Sequence, residues 1–229
     1  MKKGYGQFCP IAKASEVVGE RWTPLVLREL FCGSRHFNEL RRGVPLMSPS
    51  LLSQRLKSLE RAGIIARGRE GGRTSYTLTQ AGEDLWPVIE SLGAWGQRWA
   101  RSQLQAGDLD AGLLMWDIRR HVDARQLPDR RVVVAFEFSD VEGEAGSYWL
   151  LAEDADVELC LKDPGYDVDL LVVSDLRTLT HVWLGHLPVD AVVADGRVEL
   201  VGDRELRDGF RRWFALSPLA RLERAGKGA

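Results

Sequence analysis

The sequence predicts a mixed α and β chain in two parts: a mainly helical N-terminal part that ends in a β-hairpin, and a C-terminal α+β part. In the first hundred positions, apolar residues recur at helical spacing and then alternate over two short runs. From residue 131 onwards, runs of β-branched and aromatic residues are bounded by Asp, Gly or Pro, as strands are. A chain of 229 residues is long enough for two domains.

The charge is divided in the same way as the apolar pattern. Residues 1–103 carry a net charge of +7, and residues 104–229 carry a net charge of −9. The first part therefore suits a polyanion, which the second part would repel. We predict domains at 1–103 and 113–229, joined by a linker at 104–112, where the sequence LQAGDLDAG is polar and contains glycine.

Three helices are predicted at the start of the chain. Residues 9–19 have apolar residues at helical spacing up to Gly19, and a second helix follows with Thr23 as its N-cap and Pro24 in its first position. A short third helix is anchored by Phe37 and is ended by Gly43 and Pro45.

A longer helix is predicted at residues 48–63, SPSLLSQRLKSLERAG. Ser48 is a suitable N-cap, Pro49 fits the first helical position, and Gly63 suits a left-handed C-terminal residue. The helix has two faces, an apolar one made of Leu52, Leu56 and Leu59 and a polar, basic one made of Ser50, Gln54, Lys57 and Arg61. A short helix, a turn and a longer helix form the helix-turn-helix arrangement, in which such a polar face contacts a DNA groove.

A hairpin is predicted directly after this helix. Residues 64–67 and 75–78 form two short strands, joined by the glycine-rich, basic tip REGGRT at 69–74. Arg67, Arg69 and Arg73 are the candidates for contacts with a DNA backbone. The N-terminal part is therefore predicted to be a winged helix-turn-helix, in which this hairpin is the wing.

A long helix is predicted from Thr79 to about Gln103, with a possible kink at Pro87. One side of it is apolar, which is more apolar surface than a small domain can cover, so we expect a dimer contact there. That side carries Leu85, Val88, Ile89, Leu92, Trp95 and Trp99.

Three segments of the N-terminal part resemble the HxlR family of bacterial winged-helix regulators. They are CPIAKASEVVGERWTPLVLRELFCGSRHFNEL, SPSLLSQRLKSLERAGII and YTLTQAGEDLWPVI, in register over about residues 8–100. The resemblance implies a homodimer that binds double-stranded DNA at an operator with two-fold symmetry. His36 stands where an arginine is usual in the family and Asn38 where a serine is common, which affects one phosphate contact. The positions that the resemblance places at the DNA, in addition to the wing arginines, are Arg35, His36, Ser48, Ser50, Ser53, Gln54, Arg55 and Lys57.

Cys9 has two interpretations. Some members of the family that this chain resembles use the equivalent cysteine as a thiol sensor of electrophiles or oxidants, and a helix N-terminus and the nearby Lys13 could lower the pKa of the thiol. Alternatively, Cys9 is a small buried residue at the dimer contact.

The C-terminal part is predicted to be a mainly antiparallel sheet with helices on one side. A helix at 113–122 precedes four strands, RVVVAFEF, SYWLLAE, VELCL and DVDLLVVS, and a further helix at 175–184. VDAVVA and RVELVG flank Asp195-Gly196, which predicts a tight hairpin. Asp203 caps a last helix.

This part is rich in large aromatic side chains, which either fill a core or line a pocket for an apolar or aromatic small molecule. The order of elements over about residues 110–220 resembles the sterol-carrier-protein-like fold, which implies an apolar tunnel between the sheet and the helices. The candidate ligand-binding residues are Trp116, Trp149, Trp183, Phe210, Trp213 and Phe214.

Several function classes are disfavoured. His121, His181 and His186 are scattered and no catalytic constellation is visible, so we expect no enzyme, no cofactor and no metal. No stretch reaches the roughly 18 apolar residues of a membrane span, and the N-terminus has no secretory signal pattern. Three separated cysteines fit a reducing cytoplasm.

The predicted function is that of a cytoplasmic, homodimeric transcriptional regulator, a repressor that binds a palindromic operator and responds to a ligand or a stress. Two alternatives remain for the C-terminal domain. It is a structural or protein-interaction module, with Cys9 as the sensor, or it is a lipid carrier or enzyme that the N-terminal domain localises.

Overall fold

The computed structural model describes residues 4–100 and 104–221. It divides into two compact units, Met1–Gly93 and Ala94–Ala229, so the division falls earlier than the expected boundary after residue 103. The expected linker at 104–112 is partly structured, because it contains a 3-10 turn at Ala106–Asp108 and the start of a helix at Ala111.

The first unit is helical and ends in a hairpin, as predicted. Its elements are the helices α1 (Pro10–Val18), α2 (Thr23–Phe31), α3 (Phe37–Gly43) and α4 (Pro49–Arg61), the strands β1 (Ile65–Glu70) and β2 (Arg73–Leu78), and the helices α5 (Gln80–Glu83) and α6 (Trp86–Trp95). The core lies between α2, α3, α4 and the start of β1, where Val26, Leu27, Leu40, Leu56 and Ile65 are buried.

The hairpin differs from the prediction in its length. Glu70 pairs with Arg73, so both strands are longer than expected and the tip is reduced to Gly71 and Gly72. Both glycines have a positive φ, +55° and +77°. A two-residue turn of this hand matches the twist of the strands and favours glycine over residues that have a Cβ.

The predicted continuous helix from Thr79 is interrupted. α5 ends at Glu83, and α6 begins at Trp86 with Pro87 in its first turn. A proline is tolerated in the first turn because no intrahelical hydrogen bond is lost there. The chain therefore breaks at this point instead of kinking. The predicted end at Gln103 lies outside the described residues.

The second unit is built on a five-stranded sheet. The strands are β3 (Val132–Phe138), β4 (Ser147–Glu153), β5 (Asp156–Cys160), β6 (Leu170–Ser174) and β7 (Val198–Gly202), in the order β5-β4-β3-β6-β7. β3 and β6 are parallel and the other neighbouring pairs are antiparallel, which confirms the predicted mainly antiparallel sheet. One face packs against α7 (Ala111–His121), α8 (Leu176–Trp183), α9 (Val189–Ala194) and α10 (Arg204–Trp213).

The prediction of a hairpin around Asp195-Gly196 is wrong. VDAVVA forms α9, in which Val189 and Val192 are buried one helical turn apart. Gly196 has a φ of +78° just beyond the helix, the conformation in which many helices end. A short apolar run fits a helix or a strand equally well, and here packing against the core decides.

Candidate functional site

Helix α4 is defined by local signals at both ends. The Ser48 hydroxyl accepts a hydrogen bond from the backbone N–H of Leu51 at 3.3 Å and lies 3.2 Å from the hydroxyl of Ser50. Pro49 is the first helical residue, and Gly63 has a φ of +72° beyond the last turn. The helix therefore begins and ends where the sequence predicts.

The two faces of α4 differ as expected. Leu52, Leu56 and Leu59 are buried in the core of the first unit. Ser53 is partly buried, and the exposed side chains opposite the leucines are Ser50, Gln54, Lys57 and Arg61. The acidic Glu60 is exposed as well. The face opposite the leucines presents a hydroxyl, an amide and two cations, which are the groups that contact base edges and phosphates in DNA.

Arg55 does not lie on that face. It is only 9% exposed, its guanidinium forms an ion pair with the carboxylate of Glu20, and it donates a hydrogen bond to the backbone oxygen of Arg21 at 3.3 Å. The buried position of Arg55 therefore does not support the prediction that it contacts DNA. Its spacing carried a signal, since Arg55 is three residues after Leu52 and four before Leu59, on the buried side of the helix.

Arg35 and His36 precede α3 and differ in their surroundings. Arg35 is exposed, whereas the ring Nδ1 of His36 hydrogen-bonds to the backbone oxygen of Thr74 at 2.9 Å, which joins the start of α3 to the hairpin. Their backbone N–H groups donate to the Glu39 carboxylate at 2.8 and 2.9 Å. Burial raises the pKa of Glu39, but these hydrogen bonds outweigh it and hold that pKa below its ordinary value. Of the two side chains, that of Arg35 is the more exposed.

The wing arginines lie on two faces of the hairpin. Arg67 and Arg69 share one face, because alternate residues of a strand point the same way. Arg73 pairs across the hairpin with Glu70 on the other face. All three arginines are exposed. One face of the wing thus carries two cations, while the cation on the other face has an acidic neighbour.

Cys9 immediately precedes α1 and is a free, partly buried thiol. The ammonium group of Lys13, which was expected to favour the thiolate, lies 3.2 Å from the Glu16 carboxylate. Phe8 and Ile11 beside Cys9 are largely exposed, as are Val88 and Leu92 on α6 in the same unit. The first unit therefore exposes apolar side chains on α6, where a dimer contact is expected, and at the start of α1.

The predicted aromatic ligand residues do not form one site in the described part of the chain. Trp149 lies on β4 facing away from the core cluster, since it alternates with the buried Tyr148 and Leu150. The other five belong to a single filled core, in which the ring centroids of Phe210 and Trp213 are 4.9 Å apart. Those five are Trp116, Trp183, Phe210, Trp213 and Phe214.

A groove of about 730 Å³ lies beside this core, between the start of α9 and the end of α10. Phe214 is the member of the predicted aromatic set that borders it. Its walls combine apolar and charged side chains, including Leu187, Val189, Leu216, Asp190, Arg211 and Arg212. Arg211 and Asp190 form an ion pair at 2.5 Å. This volume is in the range of small-molecule sites, which span roughly 300–1,000 Å³.

The sequence prediction missed a buried carboxylate under the helix-turn-helix. Glu29 on α2 is 0% exposed and accepts hydrogen bonds from the Arg28 guanidinium at 2.8 Å and the Ser34 hydroxyl at 3.2 Å. Arg28 also donates to the backbone oxygen of Gly43 at 2.8 Å, at the end of α3. The local sequence gave no sign of this network, because Ser34 lies in the turn after α2 and the Gly43 oxygen that Arg28 binds belongs to another helix.

His181 and His186, two of the three histidines that are scattered in the sequence, are in contact. α8 ends at Trp183, and the chain reverses at Gly185, which has a φ of +70°. This brings the Nδ1 atoms of His181 and His186 to 2.9 Å. In the ranges 4–100 and 104–221, no group of three or more His, Cys, Asp or Glu side chains could hold a metal ion.

The family comparison bears on the unit that contains α4 and the wing. A model described as HxlR-like helix-turn-helix matches residues 17–104. YvaP of Bacillus subtilis (strain 168), an uncharacterized HTH-type transcriptional regulator, is 33% identical over 97 residues, which are 41% of this chain and 90% of that protein. The chain belongs to the HxlR family.

Other transcriptional regulators are similar over a comparable share of this chain. The HTH-type transcriptional regulator Rv3095 of Mycobacterium tuberculosis (strain ATCC 25618 / H37Rv) is 41% identical over 92 residues, which are 39% of this chain and 58% of that protein. This chain thus spans less than two thirds of the length of its mycobacterial relative. The solved structure of reduced YodB from B. subtilis is 29% identical, covers 42% of this chain and 98% of YodB, and has a TM-score of 0.37.

None of the helices within residues 4–100 and 104–221 is both long enough and apolar enough to cross a membrane.

Proposed function

We propose that this HxlR-family chain is a transcriptional repressor that binds a two-fold symmetric DNA operator as a homodimer. The observation that carries the proposal is the solvent face of α4, which is polar and basic while the opposite face is fixed in the core. A hairpin with two arginines on one face follows directly. Helix-turn-helix proteins use this arrangement, with the second helix in the major groove.

The exposed residues divide into two roles. Ser50 and Gln54 carry uncharged hydrogen-bonding groups and are proposed to read base edges. Lys57, Arg35 and the wing arginines are proposed to bind phosphates, which gives affinity without sequence preference. Ser48 and Ser53 remain in the proposed contact set, although the Ser48 hydroxyl also caps the helix.

The first prediction separates these two roles. Lys57→Ala is expected to weaken binding to all DNA sequences alike and to lower the salt slope by about one, because one phosphate contact is lost. Gln54→Ala is expected to reduce discrimination between operator and random DNA by about 1–3 kcal/mol. The measurement is fluorescence anisotropy at several salt concentrations, with a duplex selected by the wild-type protein from a random pool.

The control for this prediction is Lys162→Ala, which removes the same charge from an exposed position in the second unit. It should leave the salt slope unchanged. Equal losses on operator and random DNA from both Lys57→Ala and Gln54→Ala would contradict the proposed roles.

The second prediction concerns the homodimer. Leu92 on α6 is 53% exposed, and Leu92→Asp is expected to weaken dimerisation about tenfold or more, because a buried interface would leave the carboxylate unpaired. Val201→Asp is the matched control, since Val201 is 56% exposed but lies on β7. Sedimentation equilibrium measures both. A dimer that resists Leu92→Asp as well as it resists Val201→Asp would place the interface elsewhere.

For the second unit we propose an effector site for an apolar or aromatic small molecule, in line with the resemblance to the sterol-carrier-protein-like fold. The groove beside Phe214 supports this, whereas the five packed aromatic residues do not. An effector can shift DNA affinity only by binding the two dimer conformations unequally. Native mass spectrometry of gently purified protein tests the site, and a dimer without retained mass would favour a structural module.

Sensing by Cys9 is the second candidate for the regulatory input. The thiol is free and partly buried at the start of α1, next to exposed apolar residues. The third prediction is that alkylation of Cys9 with iodoacetamide lowers operator affinity, with Cys9→Ser, which keeps the free thiols of Cys32 and Cys160, as the control. Alkylation at Cys9 that leaves the affinity unchanged would remove this candidate.

A further inference from the structure

The buried side chain of Arg55 joins α4, the helix that is proposed to read the DNA bases, to the turn between α1 and α2. Its guanidinium pairs with the carboxylate of Glu20 and also donates to the backbone oxygen of Arg21 at 3.3 Å. Arg55 is next to Gln54 in α4. A displacement of the turn would therefore also displace the side of α4 that is proposed to face the DNA groove. Because the guanidinium is planar and is held at two points, these contacts define both the distance between α4 and the turn and the orientation of α4 relative to it.

The turn itself has a constrained backbone. Trp22 has a φ of +75°, a left-handed conformation that non-glycine residues rarely adopt. Its ring packs against the core of the first unit, and the Arg21 guanidinium lies 5.4 Å from the centroid of that ring. α2 begins immediately afterwards at Thr23. The turn therefore has few ways to move without changing where Glu20 and the Arg21 carbonyl sit.

We propose that Glu20 and Arg55 are positioning residues that fix the orientation of α4 and transmit displacements of α1 to it. This inference rests on the proposed DNA-binding function and specifies how that site is regulated. An input that moves α1, such as a change at the dimer contact, would alter the angle of the reading face. Such a change would weaken base recognition, which needs accurate placement of the side chains, more than it would weaken the attraction to phosphates, which does not.

The sign of the Glu20 effect separates positioning from simple electrostatics. Glu20→Gln removes a negative charge from the DNA-binding unit, so electrostatics alone would tighten binding to any DNA. Positioning predicts the opposite for the selected duplex, a loss of roughly three- to thirtyfold, with binding to random DNA no weaker than in the wild-type protein. Glu16→Gln is the matched control, because it makes the same charge change in an exposed ion pair on α1.

The experiment uses the full chain with the selected duplex and a random duplex, in a double-mutant cycle of Glu20→Gln and Arg55→Gln. We expect the double variant to lose no more affinity for the selected duplex than the single variant that binds it more weakly. The salt slope should be unchanged in all three variants. The reversed pair, Glu20→Arg with Arg55→Glu, should regain part of the loss. Thermal unfolding is recorded for each variant, and if Arg55→Gln does not fold, Glu20→Gln and the reversed pair decide.

Three results would overturn the inference. The first is that Glu20→Gln binds the selected duplex as tightly as the wild type or more tightly. The second is that the affinity losses of the two single variants add up in the double variant. The third is that Arg55→Gln lowers the salt slope by about one, which would indicate that Arg55 contacts a phosphate. Failure of the wild-type protein to enrich any duplex would instead reject the proposed function. The two failures are therefore distinguishable.

Discussion

Replacing Gly43 by alanine is expected to destabilise the DNA-binding unit by about 3 kcal/mol or more. A Cβ at Gly43 would overlap the carboxylate of Glu29, which is fully buried and paired with Arg28. The carboxylate cannot move aside without leaving that pair, and Arg28 also holds the carbonyl of Gly43 itself. Urea unfolding followed by circular dichroism measures the loss, and DNA affinity should fall with the folded fraction.

Two variants make this result specific. Gly107→Ala is the control, because a Cβ there meets nothing within 4 Å and the residue has no positive φ. In a Glu29→Ala background, which is itself destabilised, Gly43→Ala should cost much less, since the carboxylate is gone. If Gly43→Ala and Gly107→Ala unfolded at the same denaturant concentration as the wild type, the proposed clash would be contradicted.

The other large effect is expected in the second unit. Trp213→Ala should reduce its free energy of unfolding by about 3–5 kcal/mol, because a fully buried ring is replaced by a cavity. The indole N–H also loses its hydrogen bond to the backbone oxygen of Leu206, which is 3.0 Å long, and the ring loses its edge contact with Phe210. Intrinsic fluorescence with urea unfolding measures the change.

Trp149→Ala, on strand β4, provides the comparison within the same unit. Trp149 is partly exposed on the opposite face, so its removal should cost about 1 kcal/mol. Trp213→Ala with unchanged stability and a lost bound molecule would restore the interpretation of Trp213 as a pocket residue. Equal losses from the two substitutions would show that the open face of the sheet is covered in solution.

The functional surface could be predicted to different extents at different residues. The exposure of Gln54 and Lys57 follows from helical periodicity, because the leucines on the opposite side identify the buried face. The family resemblance implies that Arg55 contacts DNA. In the structure Arg55 instead pairs with Glu20, which lies 35 residues earlier in the chain. Distances of that kind along the chain leave no local pattern, so only the folded structure identified the ion pair.

The same distinction explains the elements that were predicted and those that were not. Local signals define the ends of α4 and the strands β3, β4 and β5, because caps, proline, glycine and alternation act on neighbouring residues. Contacts between distant segments make VDAVVA a helix, bring His181 to His186, and leave no room for a side chain at Gly43 beside Glu29. In each of these cases packing against a distant segment outweighs a local preference that is weak or ambiguous.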